Sequence, residues 1–126
     1  MTVIVWNPDG SALFNYAKPE ISNNDAWDAG GLKIEIIKPT EQVRTTFSGK
    51  ALYMTDPTAM RDPGKAFNEN PRKELTIDLI HDAVGPLYGH VGEEGDGNEF
   101  ARSHTEQHMR VSGSLKLGDE DEISIN

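Results

Sequence analysis

The longest alternating stretch of the chain is HTEQHMRVSGSLKL, residues 104–117. Successive side chains of an extended strand point to opposite faces of a sheet, so every second residue of this stretch shares a face. One face carries Met109, Val111, Leu115 and Leu117, whereas polar side chains occupy the other. The pattern predicts a long β-strand that is buried on one face.

Shorter stretches before and after this segment have the same period of two. They are residues 3–6, 11–17, 32–37, 43–47, 51–54, 73–81 and 122–125. Turn sequences separate them, beginning with Asn7-Pro8-Asp9-Gly10, in which proline presets φ and glycine tolerates a positive φ. Strands joined by short turns are typical of antiparallel sheets. We therefore predict a mainly β fold, an antiparallel barrel or sandwich or a half-barrel fragment of one.

Two Asp-Pro pairs interrupt the strands. Asp56-Pro57 and Asp62-Pro63 each place a capping aspartate before a proline at the first helical position. They predict short helical turns near 57–69, in a segment that crosses between strands and lies outside the core. Residues 85–98 are rich in glycine and acidic residues, which predicts a loop without regular structure.

The composition narrows the classes of partner. The 126 residues suit one domain spanning residues 1–126, and 21 acidic against 12 basic residues give a net charge of −9. This charge repels a phosphate backbone and anionic membranes, so neither nucleic acid nor membrane is expected as a partner. With no cysteine, no basic leader and no long apolar run, the chain is expected to be cytoplasmic and to carry no cofactor.

The polar face of residues 104–117 holds the strongest candidates for chemistry. His104, Glu106 and His108 alternate and therefore share a face, where an imidazole could act as acid or base and the carboxylate could orient it. The helical His and Glu spacings of metalloenzymes are absent, so we predict no metal site. The alternative is that these residues form the solvated face of an amphipathic strand.

Four further residues are candidates for ligand contacts. Tyr88 and His90 follow a glycine and a proline and would suit the mouth of a pocket, and Arg110 shares the face of the two histidines. Trp27 is one of a few large aromatic residues that would suit an apolar ligand. Ordinary packing of the loop and of the sheet is the alternative for each of them.

Both ends of the chain have strand patterns. Ile123 and Ile125 alternate up to the last residue, and residues 3–6 begin almost at the first. Unpaired terminal strands expose backbone donors and acceptors that invite edge pairing. The pattern predicts either a fragment of a larger β-barrel or a chain that forms homo-oligomers through its edge strands.

Several sequence segments together resemble a family of uncharacterised bacterial proteins related to carotenoid hydratase and to hydroxysteroid-associated lipocalin-like proteins. They are residues 25–32, DAWDAGGL; Asp56-Pro57 with residues 62–67, DPGKAF; and residues 104–113, HTEQHMRVSG. The resemblance implies a lipocalin-like barrel or sandwich, often with two such halves in one longer chain, around a pocket for a terpenoid or steroid. Its relatives include enzymes that add or remove water or isomerise such substrates.

Three hypotheses follow for the function. The first is binding of a small hydrophobic molecule in a β-barrel pocket, and it predicts that the even-numbered face from His104 to Lys116 surrounds a cavity. The second is a hydratase, dehydratase or isomerase that uses His104 or His108 as acid and base and Glu106 as orienting residue. The third is an assembly module that pairs through its β edges and has no pocket chemistry.

Overall fold

The computed structural model describes residues 1–21, 27–91 and 103–126. Within these ranges the chain forms one sheet of eight strands, a 3-10 helix over Pro57–Arg61 and a helix, α1, over Pro63–Glu69. The strands are β1 (Thr2–Trp6), β2 (Ala12–Tyr16), β3 (Trp27–Ala29), β4 (Leu32–Lys38), β5 (Gln42–Met54), β6 (Arg72–Val91), β7 (Ser103–Leu117) and β8 (Ile123–Ile125). No helix among the described residues is long and apolar enough to cross a membrane.

All neighbouring strands are antiparallel, in the order β1-β2-β5-β6-β7-β8. The long strand β5 has two partners opposite β6: β4 pairs with its first half and β2 with its last three residues. β3 pairs with the outer edge of β4. The sheet curls into a half-barrel, which confirms the mainly β, antiparallel prediction.

The two faces of the sheet differ in polarity. We call the face that carries Leu13, Phe47, Leu75 and Leu117 the apolar face, and these four side chains are at most 5% exposed. The core cluster around them contains residues of six strands and none of the helices. Side chains on one layer of sheet become this buried only if the sheet folds over them, so the apolar face is the concave one.

The opposite, polar face is covered by α1 at one end. Ala66 of α1 is buried with Ala12, Leu52 and Met54, and the Phe67 ring meets Phe14 edge to face at 5.9 Å between ring centroids. The prediction that this segment lies outside the core is therefore wrong.

The predicted caps are confirmed. The side chain of Asp56 accepts a hydrogen bond from the backbone N–H of Thr58, and that of Asp62 accepts one from Lys65. Each proline follows its aspartate at the start of the helical turn, where its missing N–H costs nothing.

The strand β6 extends further than the sequence predicts. It continues past Gly85 to Val91, whereas a loop was expected from Gly85; the rest of that loop, residues 92–98, lies outside the described residues. The register between β6 and β7 shifts between Ala83 and Leu87, so that Gly85-Pro86 falls in a bulge. A proline is tolerated there because a bulge interrupts the ladder of hydrogen bonds.

On the polar face, an ion pair joins β5 to β6. The Arg44 guanidinium donates two hydrogen bonds to the Asp78 carboxylate, at 2.9 and 2.6 Å. These bonds lower the pKa of Asp78 below its usual value. The lowered pKa means that the native state holds the carboxylate charged more strongly than the unfolded chain does.

We expect the pair to make stability depend on pH. A carboxylate with a lowered pKa stabilises the fold above the pKa of aspartate in the unfolded chain, about 3.9, and this contribution is lost as the pH falls through the lower native value. In urea unfolding at pH 7, 4 and 2.5, Asp78→Asn should lose less stability on acidification than the wild type. Asp119→Asn, an exposed aspartate after β7, should retain the wild-type profile. Parallel profiles for the wild type and Asp78→Asn would contradict the assignment.

Candidate functional site

The structure places two of the three catalytic candidates in contact. His104 and Glu106 lie two residues apart on β7, with their side chains on the polar face, and His104 Nε2 lies 2.9 Å from Glu106 Oε1. The hydrogen bond from His104, with a smaller effect of the His108 charge, lowers the pKa of Glu106. Both side chains are more than half exposed. The hydrogen bond holds the imidazole and the carboxylate together on the surface of the sheet.

His108 and Arg110 lie further along the same face, and both are exposed. His108 stands opposite the bulge of β6, where a side chain added at Gly85 would meet its Cβ at 4.0 Å. Of the even-numbered face from His104 to Lys116, only Ser112 and Ser114 are half-buried and the rest is exposed. The prediction that this face surrounds a cavity is wrong, because the sheet curls toward its other face.

Tyr88 is brought to the histidine–glutamate pair by strand pairing. Its partner in the register is Glu106, and Tyr88, Gly89, His104 and Glu106 line a shallow surface depression of about 230 Å³. The backbone of His90 pairs with His104, and the side chain of His90 lies outside the described structure. Three of the seven predicted residues therefore meet at the end of the β6–β7 ladder.

Trp27 lies apart from these residues. It pairs with Ile34 on β4 and belongs to the apolar face, opposite the histidines. Its indole Nε1–H is shielded from water and has no hydrogen-bond partner among the described residues. A buried donor without a partner costs free energy.

The apolar face continues beyond the closed core into an area that we call the open half. It is formed by Trp27, Ile34, Ile36, Val43, Leu79, His81, Met109 and Val111, which the register places on one face of β3 to β7. Ile34 is 38% and Ile36 is 64% exposed. Here the concave side of the sheet is lined by apolar side chains, some of which still face water.

His81 lies in this area and was not among the predicted site residues. It follows Leu75, Ile77 and Leu79 at a spacing of two, and this parity is the signal that could have placed it on the apolar face. The Nε2 atom of His81 is shielded from water. Like Nε1 of Trp27, it has no hydrogen-bond partner within the described residues. Asp78, three residues before His81, faces the other side, where it binds Arg44.

The separation of Trp27 and His81 follows from the sheet. They lie on β3 and β6, three strand spacings apart, and the register aligns Trp27 with Leu79, two residues before His81. These two offsets together correspond to about 16 Å along the sheet. For metal ions, the described part of the chain has no group of three or more His, Asp or Glu residues in a ligating arrangement.

Comparisons with known proteins give a family and no function. No curated protein and no solved structure matches the chain. One family model, described as a domain of unknown function, DUF7064, matches residues 1–126. Because the match covers the whole chain, with the half-barrel and both of its faces, the protein belongs to the DUF7064 family of domains.

Proposed function

We propose that the protein binds a small hydrophobic molecule, terpenoid- or steroid-like, on the open half of its apolar face. The observation that carries the proposal is the exposure of Ile34 and Ile36 on the concave side of a curled sheet. Each Å² of apolar surface removed from water contributes about 25 cal/mol, so a ligand that covers these side chains stabilises the complex.

Trp27 and His81 indicate what polar groups the ligand carries. The Trp27 indole only donates, whereas an imidazole nitrogen either donates or accepts according to its tautomer. Each nitrogen lacks a partner among the described residues, so a ligand oxygen that replaces the atoms now shielding it would restore a hydrogen bond. A largely apolar skeleton with a hydroxyl or carbonyl group near each end fits this arrangement. The resemblance to a family related to carotenoid hydratase and to hydroxysteroid-associated lipocalin-like proteins favours the same class of ligand.

A hydratase, dehydratase or isomerase activity is the second candidate. It is favoured by the bond between His104 and Glu106, which would hold the imidazole for proton transfer. This pair lies on the polar face, however, and a molecule bound on the open half of the apolar face would be separated from it by the sheet. We therefore rank binding above catalysis. Homo-oligomer formation through edge strands ranks third, supported by β1 and β8 at the outer edges of the strand order.

The two tryptophans of the chain provide a direct test. Trp27 lies on the apolar face, whereas Trp6 pairs with Ala12, which lies on the polar face, and is 67% exposed. In Trp6→Phe protein all indole fluorescence comes from Trp27, and in Trp27→Phe protein it comes from Trp6. Titration with progesterone should change the emission of Trp27 saturably and leave that of Trp6 unchanged. Equal responses from the two variants would contradict binding at this face.

A matched pair of isoleucine variants tests the same surface without relying on fluorescence. Ile36→Ser removes an exposed apolar side chain from the open half, and Ile4→Ser removes one from the polar side of β1. Full burial of an isoleucine is worth about 1.5–3 kcal/mol, so Ile36→Ser should weaken binding by roughly tenfold or more. Isothermal titration of both variants measures the difference. An unchanged affinity for Ile36→Ser, or an equal loss for Ile4→Ser, would place the ligand elsewhere.

A further inference from the structure

A second cleft lies on the other side of the sheet, where β2 and β5 separate. Their pairing ends at Phe14 and Leu52, after which β2 continues with β1 and β5 continues with β6. The side-chain amide of Asn15 crosses the gap and donates a hydrogen bond of 2.8 Å to the Lys50 carbonyl oxygen. This contact holds the two diverging strands at a defined distance and forms the floor of the cleft.

Aromatic and basic side chains line this cleft, which has a volume of about 280 Å³. Phe14, Tyr16 and Phe67 supply three rings, from β2 and from α1. The charged residues that line it are Lys50 and Arg72, both cations, in a chain of net charge −9. These two side chains place positive charge at the cleft, and positive charge attracts an anion.

The two cations differ in their ion pairs. Lys50 has a long ion pair with Glu74, at 3.8 Å. Arg72 has no carboxylate within ion-pair distance among the described residues, and its guanidinium stands 6.0 Å from the centre of the Phe67 ring. A guanidinium held against an aromatic ring keeps its fork of donors available for two parallel hydrogen bonds to a carboxylate.

We propose that this cleft binds a small aromatic carboxylate. The carboxylate group pairs with Arg72, with Lys50 as the second cation, and the ring packs against Phe14 and Phe67. The volume suits a single ring and is below the usual range for drug-sized ligands, about 300–1,000 Å³. The site lies on the opposite face of the sheet from the proposed hydrophobic site, so the two proposals can be tested independently.

The test is a titration of the full chain, labelled with ¹⁵N, followed by NMR. Phenylacetate should shift the backbone amides of Asn15, Lys50 and Phe67 saturably. Phenylacetamide, which keeps the ring and lacks the charge, and acetate, which lacks the ring, should each bind at least tenfold more weakly. Comparable affinity for phenylacetamide, or shifts that do not saturate or that lie elsewhere on the chain, would overturn the proposal.

Two charge variants complete the experiment. Arg72→Gln should weaken phenylacetate binding at least tenfold, whereas Lys65→Gln, which removes the same charge from α1 outside the cleft, should bind as the wild type does. Unchanged binding by Arg72→Gln would overturn the proposal. If Arg72→Gln does not fold, Lys50→Gln and the ligand series on the wild type still decide it. Progesterone should not compete with phenylacetate, which separates this result from that for the apolar face.

Discussion

Replacing Gly113 by alanine is expected to unfold the protein or to destabilise it by at least about 3 kcal/mol. Gly113 has φ = 138°, which L side chains rarely adopt, and lies in β7 between Leu79 of β6 and Ile125 of β8. A Cβ atom at this position would overlap the backbone carbonyl oxygen of Asp78 and lie 3.0 Å from the Cα of Leu79. Because β6 is held by β5 on its other side, its backbone has little room to move away.

Gly118→Ala is the matched control for this substitution. Gly118 follows the end of β7 with φ = 53°, but a Cβ there would meet no atom within 4 Å. Gly118→Ala should therefore cost only the strain of the left-handed conformation, about 1–2 kcal/mol of stability. Urea unfolding followed by circular dichroism compares the two variants. Equal midpoints for both variants would show that the overlap with β6 is relieved at no cost.

Phe47→Ala is expected to cost about 3–5 kcal/mol, a large part of the 5–15 kcal/mol typical of a folded domain. The Phe47 ring is 2% exposed and packs with Leu13, Leu75 and other residues of the core under the concave face. It also covers Gly49, where a Cβ would lie 3.1 Å from the end of the ring. Removing the ring leaves a cavity that these strands cannot close without losing their register.

Tyr88→Ala removes an aromatic ring from the exposed end of the sheet and serves as the control. Tyr88 is 61% exposed, so its loss should change the free energy of unfolding by less than about 0.5–1 kcal/mol. Chemical denaturation at one pH and salt concentration measures both variants. A cost for Phe47→Ala no larger than that for Tyr88→Ala would contradict a core centred on Phe47.

Much of the fold could be predicted because strand patterns are local. In residues 104–117 the alternation of apolar and polar side chains states which residues share a face, and Leu115 and Leu117 lie in or against the core as expected. The Asp-Pro pairs likewise contain their own capping groups, so their helical turns needed no distant partner. The loop expected from Gly85 was wrong for residues 85–91, because pairing of β6 with β7 outweighs local propensity there.

The candidate site was harder to predict, since it depends on which strands are neighbours. His104 and Glu106 meet because they are two residues apart on one strand, which the sequence shows. Tyr88 joins them only through the register of β6 with β7. The placement of His81 and Trp27 on one face follows from the pairing through β4 and β5, which no local pattern contains.

The sequence by itself determined the extended strands, the polarity of their two faces and the two capped helical turns, because these follow from side-chain alternation and from groups close along the chain. Only the tertiary structure decided which face became concave. That choice depends on strand order and curvature, which arise from contacts between distant residues. It turned Ile34 and Ile36 of β4 toward the interior of the half-barrel and left the histidines of β7 on its outer surface.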